Sequence, residues 1–272
     1  MLHNLAQLPR YRGLIQSLVA RELKARYRGS VLGFFWSFVN PLLLLLVYSI
    51  VFAYIMPARF TGGDEPKPFV DAYPYGVFLF CGLLPWTWFA SSLNESAGVL
   101  ISGGNLIKKV LFPAEVLPIV TTIANMVHFL FRLPILALFL AYYRAPVTSD
   151  ELIWFPVIVL VQLILTLGLG LLVSALTVHF RDVRDILANV LTLWFFATPI
   201  IYPWQHAPDL GKWFLNLNPF THLAISYQEV LFFGGPFGHW RWLLALGAGS
   251  IAFFLFAYFV FDRLRDTFAE EV

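Results

Sequence analysis

LIWFPVIVLVQLILTLGLGLLVSALTVHF, residues 152–180, holds no Asp, Glu, Lys or Arg in 29 consecutive positions. A bilayer's hydrocarbon core is about 30 Å thick and is crossed by about 20 apolar residues in an α-helix. Open strands would leave backbone N–H and C=O groups unpaired in lipid, so the stretch reads as a spanning helix. Five further stretches carry the same signature. Residues 31–56, 186–208 and 242–261 contain none of the four charged types, residues 72–101 contain only Glu95, and residues 116–143 contain only Arg132.

Composition agrees. Of 272 residues, 59% are hydrophobic and 12% charged, with mean hydropathy +0.74. A soluble domain carries roughly 25% charged residues, so this chain cannot cover a water-facing surface, and a soluble enzyme or a disordered chain is excluded. The single cysteine, Cys81, excludes a disulfide framework and a multi-cysteine metal site. A net charge of +2 argues against a nucleic-acid binder. No Gly-x-x-x-x-Gly-Lys-Ser/Thr loop occurs, so the chain has no phosphate cradle of that kind.

A seventh apolar stretch, WFLNLNPFTHLAISYQEVLFF at 213–233, is interrupted by Asn216, Asn218–Pro219, His222, Gln228 and Glu229. The Asn–Pro step discourages helix before it. Short re-entrant helices over 209–235 are expected, with a headgroup-level surface loop as the alternative. The fold expected over residues 1–272 is one all-α membrane domain. Six transmembrane helices follow an N-terminal amphipathic interface helix (1–30), and the re-entrant helices lie between spans five and six. With the N-terminus in the cytoplasm, twelve of the eighteen Lys and Arg residues fall on inner segments and five on outer ones. That asymmetry puts both termini inside. Residues 1–30 are basic without a long apolar core, so no cleavable signal peptide is expected.

Five features carry chemistry. In LIQSLVARELKARYRGS (14–30), Arg21, Lys24 and Arg28 share one helical face, and Glu22 and Arg26 sit four apart in the apolar sector. The pair suits a docking surface for a cytoplasmic partner, whereas a plain lipid anchor gains nothing from a carboxylate there. In SGGNLIKKVLFPAEVLP (102–118), Gly103 and Gly104 end one helix and Pro113 opens another. Between them Lys108 and Lys109 stand among Leu106, Ile107, Val110, Leu111 and Phe112, as in a knob entering a partner's groove or a helix at headgroup level. In HFRDVRDIL, Arg181, Asp182, Arg184 and Asp185 form either a salt-bridged inner gate or a solvated turn. Within spans, Glu95 lies near the inner end and Arg132 lies deeper, paired for stability or contacting an anionic cargo. Aromatic residues are abundant away from the span ends. Phe35, Tyr48, Phe52, Trp194 and Phe196 offer either packing surface or stacking platforms for a sliding sugar polymer.

Together RELKARYRGSVLGFFWSFVNPLLLLLVYSIVF, NLIKKVLFPAEVLP, HFRDVRDIL and TPIIYPW…LNPFTHL resemble, in order and spacing, the type-2 ABC exporter permeases of polysaccharides. The O-antigen (Wzm-like) and teichoic-acid (TagG-like) subgroup is most similar, with capsule permeases as neighbours. The resemblance spans nearly the whole chain. It implies a homodimer with two ATP-binding cassette subunits in the bacterial cytoplasmic (inner) membrane. It also implies a lipid-linked glycan as cargo and surrounding lipids as partners, without nucleic acid. ATP and Mg would sit on the partner ATPase, with no cofactor and no catalytic residue in this chain. ATPase coupling would fall to Glu22, Arg26, Leu106, Lys108, Lys109 and Phe112. The inner gate would be Arg181, Asp182, Arg184 and Asp185. The substrate path would be Phe35, Tyr48, Phe52, Trp194, Phe196 and Arg132. Alternatives are a drug or lipid cargo on the same fold, or a membrane-embedded glycan-lipid transferase using Asp64, Glu65 and Asp71.

Overall fold

The computed structural model describes residues 8–51, 75–108, 112–206 and 209–271. Among them every regular element is a helix and no strand occurs. A 3-10 turn leads into α1 (Arg12–Tyr27). The chain then reverses through Gly29 and Gly33, at φ +79° and +49°, a left-handed backbone that glycine adopts without strain. Next comes α2 (Trp36–Ile50). The central elements are α3 (Tyr75–Ser102), the short α4 (Gly104–Ile107), α5 (Val116–Tyr142), α6 (Ser149–Leu152) and α7 (Trp154–His179). After α8 (Val183–Phe196) follow α9 (Asp209–Leu217), α10 (Pro219–Gln228), and a π turn at Glu229–Phe233. The chain closes with α11 (Trp240–Leu264), a 3-10 turn (Arg265–Thr267) and α12 (Phe268–Glu271).

Four helices are long and apolar enough to cross a bilayer: Tyr75–Ser102, Val116–Tyr142, Ser149–His179 and Trp240–Thr267. At 1.5 Å per residue, 28 residues reach about 42 Å. They correspond to expected spans two, three, four and six. α3 is the axis of the bundle. In its most apolar window 83% of residues are buried, against 28% for α11, whose outer face is left bare. α11 packs on α7 where Gly168 lets the backbones approach. A Cβ there would meet Phe253 Cδ1 at 3.0 Å and Phe254 Cα at 3.1 Å, as small residues do at helix crossings in lipid.

Expected span five, 186–208, is not one helix. α8 stops at Phe196, about 21 Å from its start. Pro199 and Pro203 fall within the next seven residues, each lacking an N–H and disfavouring helix in the residue before it. Neighbours satisfy the backbone freed by this break. Asn218 Nδ2 donates to Ala197 O at 3.0 Å and Gln228 Nε2 to Pro199 O at 2.8 Å. Asn218 also caps α10, accepting from Phe220 N–H at 2.9 Å, with Pro219 at the first helical position. Every residue of α10 from Phe220 to Gln228 is buried.

Of expected span one, 31–56, the described residues form the 15-residue α2, which is not among the four helices long enough to cross a bilayer. Residues 52–56, with Phe52, lie outside the described residues, as do Asp64, Glu65 and Asp71. The N-terminal helix is α1, and its apolar side is covered by protein. Leu18 and Val19 are buried against Val116, Val120 and Ala124 of α5.

Candidate functional site

Where α3, α7 and α11 finish and α5 and α8 begin, charged side chains from several elements converge. The basis is a stripe on α5. Thr121, Asn125, His128 and Arg132 stand at spacings of four, three and four, which keeps them on one helical face. Lipid supplies no hydrogen bonds, so such a stripe must be met by protein.

Arg26 of α1 meets it first. Its Nη2 lies 2.9 and 2.8 Å from the two Glu95 carboxylate oxygens of α3, and its Nη1 donates to Asn125 Oδ1 at 3.0 Å. Asn125 Nδ2 donates to Glu95 Oε2 at 2.7 Å and to Thr121 O at 3.1 Å. The result is a closed triad joining α1, α3 and α5. One turn deeper, Tyr27 Oη is 2.9 Å from His128 Nδ1 and hydrogen bonds Ser37 Oγ of α2. Deeper still, Arg132 Nη1 donates to Thr87 Oγ1 at 3.1 Å. α1 and the start of α2 are thus fastened to the bundle by polar groups inside an apolar chain.

The expected Glu22–Arg26 pair does not form. Arg26 turns to Glu95 instead, because among the described residues no other cation pairs with that carboxylate, whereas a helical surface pair contributes only about 0.2–0.5 kcal/mol. Glu22 still faces Arg26 across a cleft of about 560 Å³ whose walls include Glu95, Ser102 and Arg184. The structure therefore brings Glu22 and Arg26 of the coupling set together with Arg184 of the gate set. Arg181, Asp182, Arg184 and Asp185 are all exposed, and no ion pair within 4.0 Å joins them.

Around the α3–α5 loop, Lys108 is exposed, while Leu106 and Phe112 are half-buried against the chain's own core. Lys109 lies outside the described residues. Among the expected path residues whose side chains are described, Trp194, Phe196 and Phe35 differ in setting. Trp194 packs on Phe89 and Trp86, with centroids at 5.3 and 6.4 Å, and donates its indole N–H to Asn218 Oδ1 at 2.6 Å. Phe196 points away and is 62% exposed, continuing a bare stripe of Ile186, Val190 and Leu193. Phe35 is exposed, and Tyr48 lies on α2. Sequence reasoning missed Asn125, Tyr27 and His128. The available signal was the polar spacing on an otherwise apolar span.

The opposite end is built differently. His222 Nε2 donates to Asn216 O at 3.0 Å, because a carbonyl only accepts, leaving Nδ1 to accept from His239 Nε2 at 2.9 Å. Trp242 stacks on His222 at 4.9 Å with planes 5° apart. Burial pushes the His239 imidazole down to about 4, assisted by charge coupling to His222. Glu229 Oε2 accepts from Gly238 and His239 N–H at 3.1 Å each, capping α11. Burial raises its carboxyl above the usual range, those two bonds oppose the rise, and nearby Glu151 adds to it. Among the described residues no group of three His, Cys, Asp or Glu could hold a metal.

Comparison with known proteins bears on the whole chain. The family model described as ABC-2 type transporter matches residues 13–232. An O-antigen export system permease protein RfbA of Myxococcus xanthus is 40% identical over 275 residues, covering all of both chains. A Klebsiella pneumoniae protein of the same name is 30% identical over 257 residues, 94% of each. The polysialic acid transport protein KpsM of Escherichia coli is 25% identical over 221 residues, 80% of each. The chain therefore belongs to the ABC-2 type transporter family, as a membrane-embedded permease.

Proposed function

We propose that this permease exports a lipid-linked polysaccharide, an O-antigen, across the bacterial inner membrane, driven by ATP hydrolysed on a separate subunit. The observation that carries the reading is the 40% identity, over the full length, to a protein named as an O-antigen export permease. The relative named for polysialic acid is 25% identical over 80% of the chain, so capsule export is the weaker reading.

In this reading two copies pair, each with six spans. α2 with the residues after it supplies span one, and α8 with the break that follows it supplies span five. α9 and α10 are the re-entrant elements. Both termini face the cytoplasm, which puts Arg26, Lys108, Arg184 and Arg265 on the side of two ATP-binding cassette subunits. ATP and Mg belong to those subunits.

Two features of the chain support this reading. The charged triad sits where a push on α1 would reach α3 and α5 directly. The bare faces of α2 and α8, bearing Leu46, Val47, Leu193 and Phe196, with exposed Phe35 just before α2, need cover from lipid, a second copy or cargo. A neutral glycan must leave each site as easily as it enters. Apolar and aromatic walls grip without the directional commitment of buried charge.

The test is deletion of the gene in its native cell. Surface polysaccharide should disappear while its lipid-linked precursor accumulates inside, and a plasmid copy should restore export. Unchanged surface polysaccharide after deletion would overturn the proposal.

A further inference from the structure

The last residues of the chain fold back onto the loop between α3 and α5. Phe268 is fully buried, in one cluster with Leu100, Leu117, Ala175 and Phe261. Its ring meets Phe261 edge-on at 5.2 Å and His179 at 6.1 Å. Leu106, Ile107 and Phe112 of the loop lean on the same cluster. Polar fasteners flank it on both sides. Thr267 Oγ1 is 2.9 Å from His179 Nε2 at the end of α7. Arg265 Nη1 is 3.9 Å from Glu115 Oε1, a carboxylate only 3% exposed at the start of α5. Glu115 Oε2 is buried without a hydrogen-bond partner, so Arg265 is the cation that offsets this charge.

A solvated tail after a final span requires none of this. Of the apolar residues that look in sequence like a knob for a partner's groove, Leu106, Ile107 and Phe112 pack inward on the cluster that holds Phe268, while Asn105 and Lys108 are exposed. From this juxtaposition we infer that Arg265–Glu271 is a strap. It clamps the α3–α5 loop to the ends of α5, α7 and α11, so that force applied at Lys108 moves those helices rather than bending the loop. Phe268, Thr267 and Arg265 are positioning residues, and the strap acts with the ATPase contact proposed above and rests on that reading.

The test uses the co-expressed permease–ATPase complex, with ATP hydrolysis measured on purified material and glycan export measured in cells. Phe268→Ala should leave co-purification and hydrolysis near wild type while export falls about threefold to tenfold, the range expected when a coupling element is loosened. Phe268→Leu, which refills the cluster, should restore export. Arg265→Gln combined with Thr267→Val keeps the apolar plug and removes the fasteners. It should give the same split, and it decides the matter if Phe268→Ala fails to assemble. A strap with no coupling role would lower hydrolysis and export in proportion, or leave both unchanged, and either result overturns the inference. Lys108→Glu separates this from the underlying reading. If it leaves co-purification and export intact, the docking proposal itself falls. If it impairs them while the strap variants export normally, only the strap falls.

Discussion

The two ends of this bundle solve the same problem with different chemistry. At the basic end, full charges are carried into apolar helices and met there by Arg26, Glu95 and Asn125 from three elements. At the other end, neutral amides and imidazoles close the gaps. Asn218 ties the broken end of α8 to α10, and His239 and Glu229 secure the entry to α11. A charged triad can be pulled on from outside and still hold, since its bonds are strong and its two charged members are partly exposed while Asn125 is buried. The neutral seams are dense and local, suited to holding a break in place.

The largest effect is expected at the neutral end. Asn218→Ala removes a helix cap, strands the Trp194 indole N–H, and frees the Ala197 carbonyl. Cap loss costs ~1 kcal/mol and the stranded, part-buried indole N–H about 1–3 kcal/mol, while the carbonyl of the exposed Ala197 adds little. Stability should fall by roughly 2–4 kcal/mol on those values, read as a lower denaturation midpoint in detergent. A midpoint equal to wild type would mean that the α8–α10 seam carries no stability.

Glu95→Gln should cost less, about 1–2 kcal/mol, because the pair is part-exposed and charged hydrogen bonds are worth about 1.5–3 kcal/mol before screening. Its effect on export should exceed that of Asn218→Ala when both are compared at equal protein level. Glu22→Gln, with no ion pair to lose, should change stability by less than about 0.5 kcal/mol. Equal losses for Glu95→Gln and Glu22→Gln would break the distinction drawn between them.

A further effect is pH-dependent. His239 has its folded pKa lowered from 6.5 to about 4. Below 6.5 the unfolded chain takes up a proton that the folded chain refuses, so stability is lost as pH falls from about 6.5 towards 4. Glu229, with a raised folded pKa, works the other way and favours the fold as pH falls. The midpoint difference between wild type and His239→Gln, followed from pH 7 to 5, isolates the histidine. It should shift steadily against wild type. A constant difference would show that His239 is not held neutral.

How much of this was readable in the sequence depends on which force decides each element. Spans two, three, four and six follow from apolar length, because burial in lipid needs only length and hydropathy. The end of α8 does not. Residues 186–208 are uncharged throughout, yet Pro199 and Pro203 stop the helix, a backbone veto that hydropathy does not register. The site divides the same way. Lys108 and Arg184 were found as charges beside apolar runs. Arg26 was found but assigned to Glu22, its neighbour in sequence, because pairing across 69 positions with Glu95 is decided by the packing of α1 on α5. Trp194 shows a choice that sequence alone leaves open. A mid-span aromatic is equally suited to a path or a core, and only the rotation of α8 separates it from the exposed Phe196.

The docking claim is tested most directly by site-directed cross-linking in the assembled complex. With Cys81 replaced by Ala, single cysteines at Asn105 and Lys108 on the basic end, and at Arg144 and Lys212 on the other, would be treated with a short thiol-to-amine cross-linker in membranes containing the ATPase. Asn105 and Lys108 should give an adduct with the ATPase, and Arg144 and Lys212 none. An ATPase adduct from Arg144 or Lys212, with Asn105 and Lys108 silent, would contradict the assignment of the basic end as the face that receives the ATPase.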